Sequence, residues 1–125
     1  MNRQDIEKII QEVPELTSNG IANKSDSSFD ESRERLLNSG AEIAKIANWL
    51  SGINKIKSIN THRSSYGMKH IAEIELGYIS NGAFIAAAIY CGYKYKAYNN
   101  SPNVSFNMSE RSIKQRVKNN GFIIT

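Results

Sequence analysis

The segment Asn81-Gly82-Ala83-Phe84-Ile85-Ala86-Ala87-Ala88-Ile89-Tyr90-Cys91 constrains the fold most. Ser80 before it can cap a helix start, and Gly92 after it can close one. Such a helix is apolar nearly all round, which marks a helix buried inside a protein rather than lying on its surface. The longest apolar stretch, Ala83 to Cys91, is far shorter than the roughly 20 residues needed to span a bilayer. A membrane is therefore not an expected partner.

A chain of 125 residues is one domain's worth and can bury a core without staples. Its 40% hydrophobic and 22% charged residues are ordinary for a globular protein. Cys91 is the lone cysteine and cannot form an internal disulfide. Its apolar setting reads as a small buried hydrophobe rather than a reactive thiol. The polar start, Met1-Asn2-Arg3-Gln4-Asp5, has no apolar signal region, so the expected location is the cytoplasm.

Charge is uneven along the chain. Residues 1–45 hold six Lys/Arg and nine Asp/Glu, a net of −3, whereas residues 46–125 hold ten and three, a net of +7. A basic later part points to phosphate as a partner. The plainer reading is that the excess only keeps the protein soluble.

Helical spacing of Ile6, Ile9, Ile10 and Val13 predicts a helix over 3–12, capped by Asn2 and disturbed at its end by Pro14. Thr17 to Ser28 reads as a flexible loop or linker, so the first helix is expected as a loosely attached arm. Residues 1–28 are thus set apart from a globular domain over 29–125. Ser28 followed by Glu31 has capping-box spacing. Leu36, Gly40, Ile43, Ala47 and Leu50 then share a stripe, predicting one helix from about 29 to 51 with Trp49 as an anchor and Gly52 as its stop. Residues 53–63 suit a short strand or extended connection. Ser64 or Ser65 caps a helix over 65–76, and Gly77-Tyr78-Ile79 is a tight turn.

Beyond the apolar helix, Tyr93, Tyr95 and Ala97 alternate with Lys94, Lys96 and Tyr98. Val104, Phe106 and Met108 alternate with Asn103, Ser105 and Asn107. Two alternating runs around Asn99-Asn100-Ser101-Pro102 predict a β-hairpin with one apolar face and one polar face. Ser109 caps a last helix over 110–119, with Ile113 and Val117 inward and Arg111, Lys114, Arg116 and Lys118 outward. Gly121 ends it, and Phe122-Ile123-Ile124 suits a short strand or docks on the core.

The fold class is therefore α+β, mainly helical. The order helix, helix, turn, helix, hairpin over about 29–108 resembles the winged-helix branch of helix-turn-helix proteins. The segment Lys69-His70-Ile71-Ala72-Glu73-Ile74-Glu75-Leu76-Gly77-Tyr78-Ile79-Ser80 carries the local likeness, with one residue too many between Ala72 and Gly77. That resemblance implies DNA binding. The helix after the turn nevertheless lacks the polar side chains that read base edges, Ser80 and Asn81 apart. Backbone contact is expected instead, from Lys55, Lys57, Arg63, Lys69, His70, Asn81, Lys94, Lys96, Arg111 and Lys114. Tyr93-Lys94-Tyr95-Lys96-Ala97-Tyr98 interleaves rings with cations, as stacking on unpaired bases would require. The simpler role for those lysines is to guard an exposed strand.

Thr61 to His70 is the densest polar patch. His62, His70 and Glu73 match no zinc spacing. Acid–base work by His70 with Glu73 or Tyr66 is chemically feasible, yet no nucleophile elbow, P-loop or dinucleotide fingerprint accompanies it. No enzyme activity, metal or cofactor is expected.

Ser65-Tyr66-Gly67-Met68-Lys69-His70, Tyr78 to Ala88 and Pro102 to Ser112 look like segments of small uncharacterised proteins of bacterial mobile elements. That likeness implies DNA-related or host-defence-related work and assigns no residue a role. The expectation is an accessory or regulatory nucleic-acid-binding protein, DNA before RNA. The alternative is a non-catalytic protein-interaction module or inhibitor of a host system. A homodimer is compatible with both.

Overall fold

The apolar segment is a helix over Asn81–Tyr90, and each residue from Asn81 to Ala88 is buried. With no face left to solvent before Ile89, the other elements are arranged around it. The structure, a computed structural model, describes residues 1–119. In chain order its elements are α1 (Arg3–Glu12), β1 (Leu16–Thr17), β2 (Gly20–Ile21), α2 (Phe29–Leu37), α3 (Gly40–Leu50), α4 (Ser65–Leu76), α5 (Asn81–Tyr90), β3 (Tyr95–Ala97), β4 (Val104–Phe106) and α6 (Glu110–Asn119). The class is α+β, mainly helical, with two small antiparallel hairpins among the described residues. The features expected at Gly121 and over Phe122 to Ile124 lie outside those residues.

Helices α1, α3 and α4 and the β1–β2 hairpin all pack on α5. Phe84 of α5 meets Trp49 edge-on at 6.5 Å and Phe106 of β4 at 6.1 Å. Through these rings the first and second halves of the chain share one core.

The first 28 residues depart from expectation. Asn2 and Asp5 form the reciprocal cap of α1, as the spacing implied. Ile6, Ile9, Val13 and Leu16, however, belong to the same buried cluster as α5, so α1 is no loose arm. Residues expected as linker form the β1–β2 hairpin, with Leu16 opposite Ile21 and Thr17 opposite Gly20. Gly20 has φ +111, a conformation only glycine adopts without strain. The Ser18 carbonyl accepts from the Gly82 N–H of α5, and the Pro102 carbonyl accepts from the Ile21 N–H. Polar composition signalled a turn here, and long-range hydrogen bonds hold it in place.

The helix expected over 29–51 is two helices broken at Asn38-Ser39. The Ser39 hydroxyl donates to the Arg35 carbonyl, a local bond that competes with helix continuation. The Met1 carbonyl presses on Gly40 so closely that a Cβ there would sit 2.2 Å from it. Ser28 makes no cap bond to α2; its hydroxyl turns to Asp26.

In the second hairpin Tyr95 pairs with Phe106, Lys96 with Ser105 and Ala97 with Val104. All of β4 is buried and all of β3 is exposed. Tyr95 therefore does not point to the core as expected, while Ser105 and Asn107 are buried. The cause is the 53–60 segment, which lies along the other side of β4. Ile56 N–H donates to the Asn107 carbonyl and Asn60 N–H to that of Phe106. Paired on both edges, β4 is the inner strand, and β3 takes the outer position.

Candidate functional site

The ten residues expected to contact nucleic acid fall into three groups. The first is a strip of lysines. Asn107 joins two segments: its carbonyl and side-chain amide bond Ile56, while its N–H and side-chain oxygen bond Lys94. Lys55 and Lys57 are thereby held on one side of residues 105–108, and Lys94 and Lys96 on the other. All four side chains belong to exposed residues. None has a carboxylate within 4.0 Å among the described residues. Two of the ammonium groups lean on rings instead: Lys55 lies 4.9 Å from the Tyr93 centroid and Lys96 5.5 Å from that of Tyr98. Helix α6 begins beside this strip, because Ser109 N–H donates to the Asn54 carbonyl and Asn54 N–H to the Ser112 hydroxyl. Arg111 and Lys114 are exposed on that helix.

The second group is already neutralised. Arg63 Nε lies 2.9 Å from Glu110 Oε1 and its Nη2 2.5 Å from Oε2. Asn60 Nδ2 adds a bond of 3.0 Å to Oε1. The Arg63 guanidinium, helped by Asn60, holds the Glu110 carboxyl at about 2 against the opposing effect of burial. Arg63 is thus a structural cation rather than one offered to phosphate, and Lys114 shares the same carboxylate at 3.9 Å. Arg116, expected to point outward, bonds Glu75 at 3.1 Å and stacks on Trp49.

The third group meets elsewhere. Lys69 is 6% exposed. Its Nζ donates to Glu73 Oε2 at 3.2 Å and lies between the rings of Tyr66 and Tyr78. Burial alone would raise the Glu73 pKa, but the Ile79 N–H, Lys69 and His70 together hold it below its ordinary value. His70 Nδ1 sits 2.9 Å from Glu73 Oε1 and stacks edge-on against Tyr66. Asn81 is buried, with its side-chain nitrogen donating to Asn19 O, Pro102 O and Asn103 Oδ1. The expectation that Lys69 and Asn81 reach outward to phosphate is therefore corrected: helix geometry puts Lys69 over Glu73, and the β1–β2 turn covers Asn81.

Gly77, with φ +76, makes the turn that brings Tyr78 and Ile79 back over Glu73. Sequence reading missed Ser18, Asn19 and Asn103 in this region. The turn chemistry of Ser18-Asn19-Gly20 was a signal for a fixed corner, but nothing local indicated what it would touch. Cys91 is half-buried, with its thiol pushed up by burial, the opposite of an activated nucleophile. Among the described residues no group of three or more His, Cys, Asp or Glu side chains is placed to hold a metal ion. None of their helices is long and apolar enough to cross a membrane.

No protein-family model matches this chain, and neither a curated protein nor a solved structure matches it.

Proposed function

We propose that this protein binds nucleic acid, DNA before RNA, mainly through phosphate contacts from Lys55, Lys57, Lys94 and Lys96. The observation that carries this reading is the shared main-chain frame of the two lysine segments, with no carboxylate on any of the four. Residues 76–109 contain no Asp or Glu at all, so the β3–β4 hairpin presents positive charge without local compensation. Exposed Tyr95 and Tyr98 interleave with the cations. Arg111 extends the same positive strip onto α6, where Lys114 faces the Glu110 carboxylate.

In winged-helix-like terms, α5 is too deeply buried to enter a groove, and the β3–β4 hairpin is the wing that meets the backbone. Such a mode positions a protein on a duplex without reading its sequence. The likeness to proteins of bacterial mobile elements suits an accessory or regulatory role on DNA.

Duplex binding measured across a range of salt concentrations tests the reading. Four neutralised phosphates give a log–log slope of about −3.6. Absence of binding at low salt overturns it. A host partner captured from lysate after nuclease treatment, with no duplex binding, favours the protein-interaction module instead.

A further inference from the structure

The β3–β4 hairpin carries a ring that phosphate contacts alone leave unused. All of β3 is exposed, and Tyr98 follows it at the entrance to the turn. Side chains alternate along a strand, so Lys94, Lys96 and Tyr98 fall on one face. The register agrees. Lys96 lies opposite Ser105, and the Tyr98 hydroxyl donates to Ser105 Oγ at 3.1 Å. Lys96 Nζ stands 5.5 Å from the centre of the same ring. Tyr95, opposite Phe106, takes the other face.

The bond to Ser105 fixes how the ring sits. Tyr98 is attached to one arm of the hairpin and its hydroxyl is held on the other, so the ring spans the two arms. Ser105 is only 2% exposed, whereas Tyr98 keeps 38%. Part of the ring covers the hairpin and part is open to solvent. A ring already held in place need not be ordered when something stacks on it, which lowers the cost of binding. Guarding an outer strand needs the lysines alone and gives no reason for a fixed, open ring.

The surroundings select what stacks there. Lys94 and Lys96 are about 7 Å apart along the strand, and neither has a carboxylate within 4.0 Å among the described residues. They favour an anionic chain over a neutral aromatic molecule. Glu15 and Asp26 line the groove between the hairpin turn and the β1–β2 hairpin, which Tyr98 borders. Phosphates therefore run from the ring back along Lys96 and Lys94, away from those acids. A duplex offers phosphates to the lysines but keeps its base faces inside the stack, beyond a ring held against a hairpin. An unpaired strand offers both phosphates and open base faces.

We infer that the hairpin binds single-stranded nucleic acid, with one base stacked on Tyr98 and the neighbouring phosphates on Lys96 and Lys94. The inference rests on the nucleic-acid reading above and narrows its ligand.

Fluorescence anisotropy of the full chain tests it at one salt concentration. The probes are a labelled single strand, as DNA and as RNA, a duplex of the same sequence, and a single strand of abasic sites. The intact strand is expected to bind about tenfold more tightly than the abasic strand, the scale of one base–ring stack. Tyr98→Leu keeps an apolar side chain and removes the aromatic face. The ratio of single-strand to duplex affinity is expected to fall about tenfold in this variant. Tyr98→Phe keeps the face without the bond to Ser105 and is expected to stay within about threefold of the wild-type ratio, the scale of one modest hydrogen bond. Lys57→Ala is expected to lower both affinities. Thermal melting confirms that each variant folds.

If intact and abasic strands bind alike, or Tyr98→Leu leaves the ratio unchanged, the stacking inference is overturned while the lysine strip stands. Single-strand binding that depends on Tyr98, without duplex binding, keeps the inference and removes the duplex from the reading above. No binding of any probe at low salt overturns both.

Discussion

Arg63 closes a fork on Glu110 across 47 residues of chain, with Nε at 2.9 Å and Nη2 at 2.5 Å from the two carboxylate oxygens. The pair ties the 53–63 connection to the first turn of α6, and Asn60 seals it by bonding both Glu110 and the Met108 carbonyl. It supports the lysine strip by fixing one of the segments that carry it.

This pair makes stability depend on acid. The Glu110 carboxyl sits at about 2 when folded, below the ordinary 4.5, so protonation favours the unfolded chain. Its contribution is complete above about pH 4.5 and is lost as pH falls toward 2. Because the pair is partly open to solvent, about 1–2 kcal/mol is a fair scale once screening is allowed for. Urea unfolding of wild type and Glu110→Gln at pH 7, 4 and 3 is expected to show the two curves converging on acidification. Parallel curves would remove the pair from the account of acid sensitivity.

Tyr93 supplies a second test of the frame. Its hydroxyl donates to the carbonyls of Ile53 at 2.5 Å and Leu50 at 3.0 Å, closing the end of α3, and burial pushes its phenol up to about 12. Tyr93→Phe keeps the ring and leaves both carbonyls without that donor. A loss of about 1–2 kcal/mol in urea unfolding at neutral pH is expected; an unchanged midpoint would mean water replaces the hydroxyl.

Two glycines should respond differently to alanine. At Gly82 a Cβ would lie 1.8 Å from the Thr17 carbonyl oxygen, with backbone on both sides of the contact. Gly82→Ala is expected to cost about 3 kcal/mol and to displace the β1–β2 hairpin. At Gly77 a Cβ meets nothing within 4 Å, but φ +76 with ψ −172 is a conformation essentially confined to glycine, so Gly77→Ala is expected to cost about 1–3 kcal/mol of backbone strain without displacing a neighbour. Thermal denaturation ranks the two, and a reversed order would contradict the packing at α5.

For the lysine strip, single alanine substitutions at Lys57, Lys94 and Lys96 are each expected to reduce the magnitude of the duplex salt slope by about 1. Affinity should fall similarly on duplexes of different sequence. Arg63→Ala is expected to act through melting temperature first, since its charge is spent on Glu110. A strong sequence-dependent effect of any one lysine would replace backbone contact with base reading.

The bounds of α1, α4, α5 and α6 were legible because caps and periodic stripes are local. Asn2, Ser64, Ser80 and Ser109 each cap the helix expected of them. The break at Asn38-Ser39 was not legible, because Met1 against Gly40 is a contact between chain segments far apart. Nor was the β1–β2 hairpin, whose strands of two residues are held by Gly82 and Pro102. At the candidate site, charge along the chain singled out Lys55, Lys57, Lys94 and Lys96 among ten residues, but that Asn107 holds their two segments on either side of one strand was not legible. The pairing of Arg63 with Glu110 and the covering of Asn81 depended on where distant segments land, which spacing along the chain does not encode.

The all-round burial of α5 also sets an order of events at the ribosome. The first helix and hairpin cover a surface that has not been made until residue 88 is synthesised, so their contacts with α5 wait for it, while α1 and β1 have only α2 to pack on. During those seconds Ala83 to Ile89 passes from nascent chain to centre of the molecule, and any delay leaves its most adhesive stretch facing the cell.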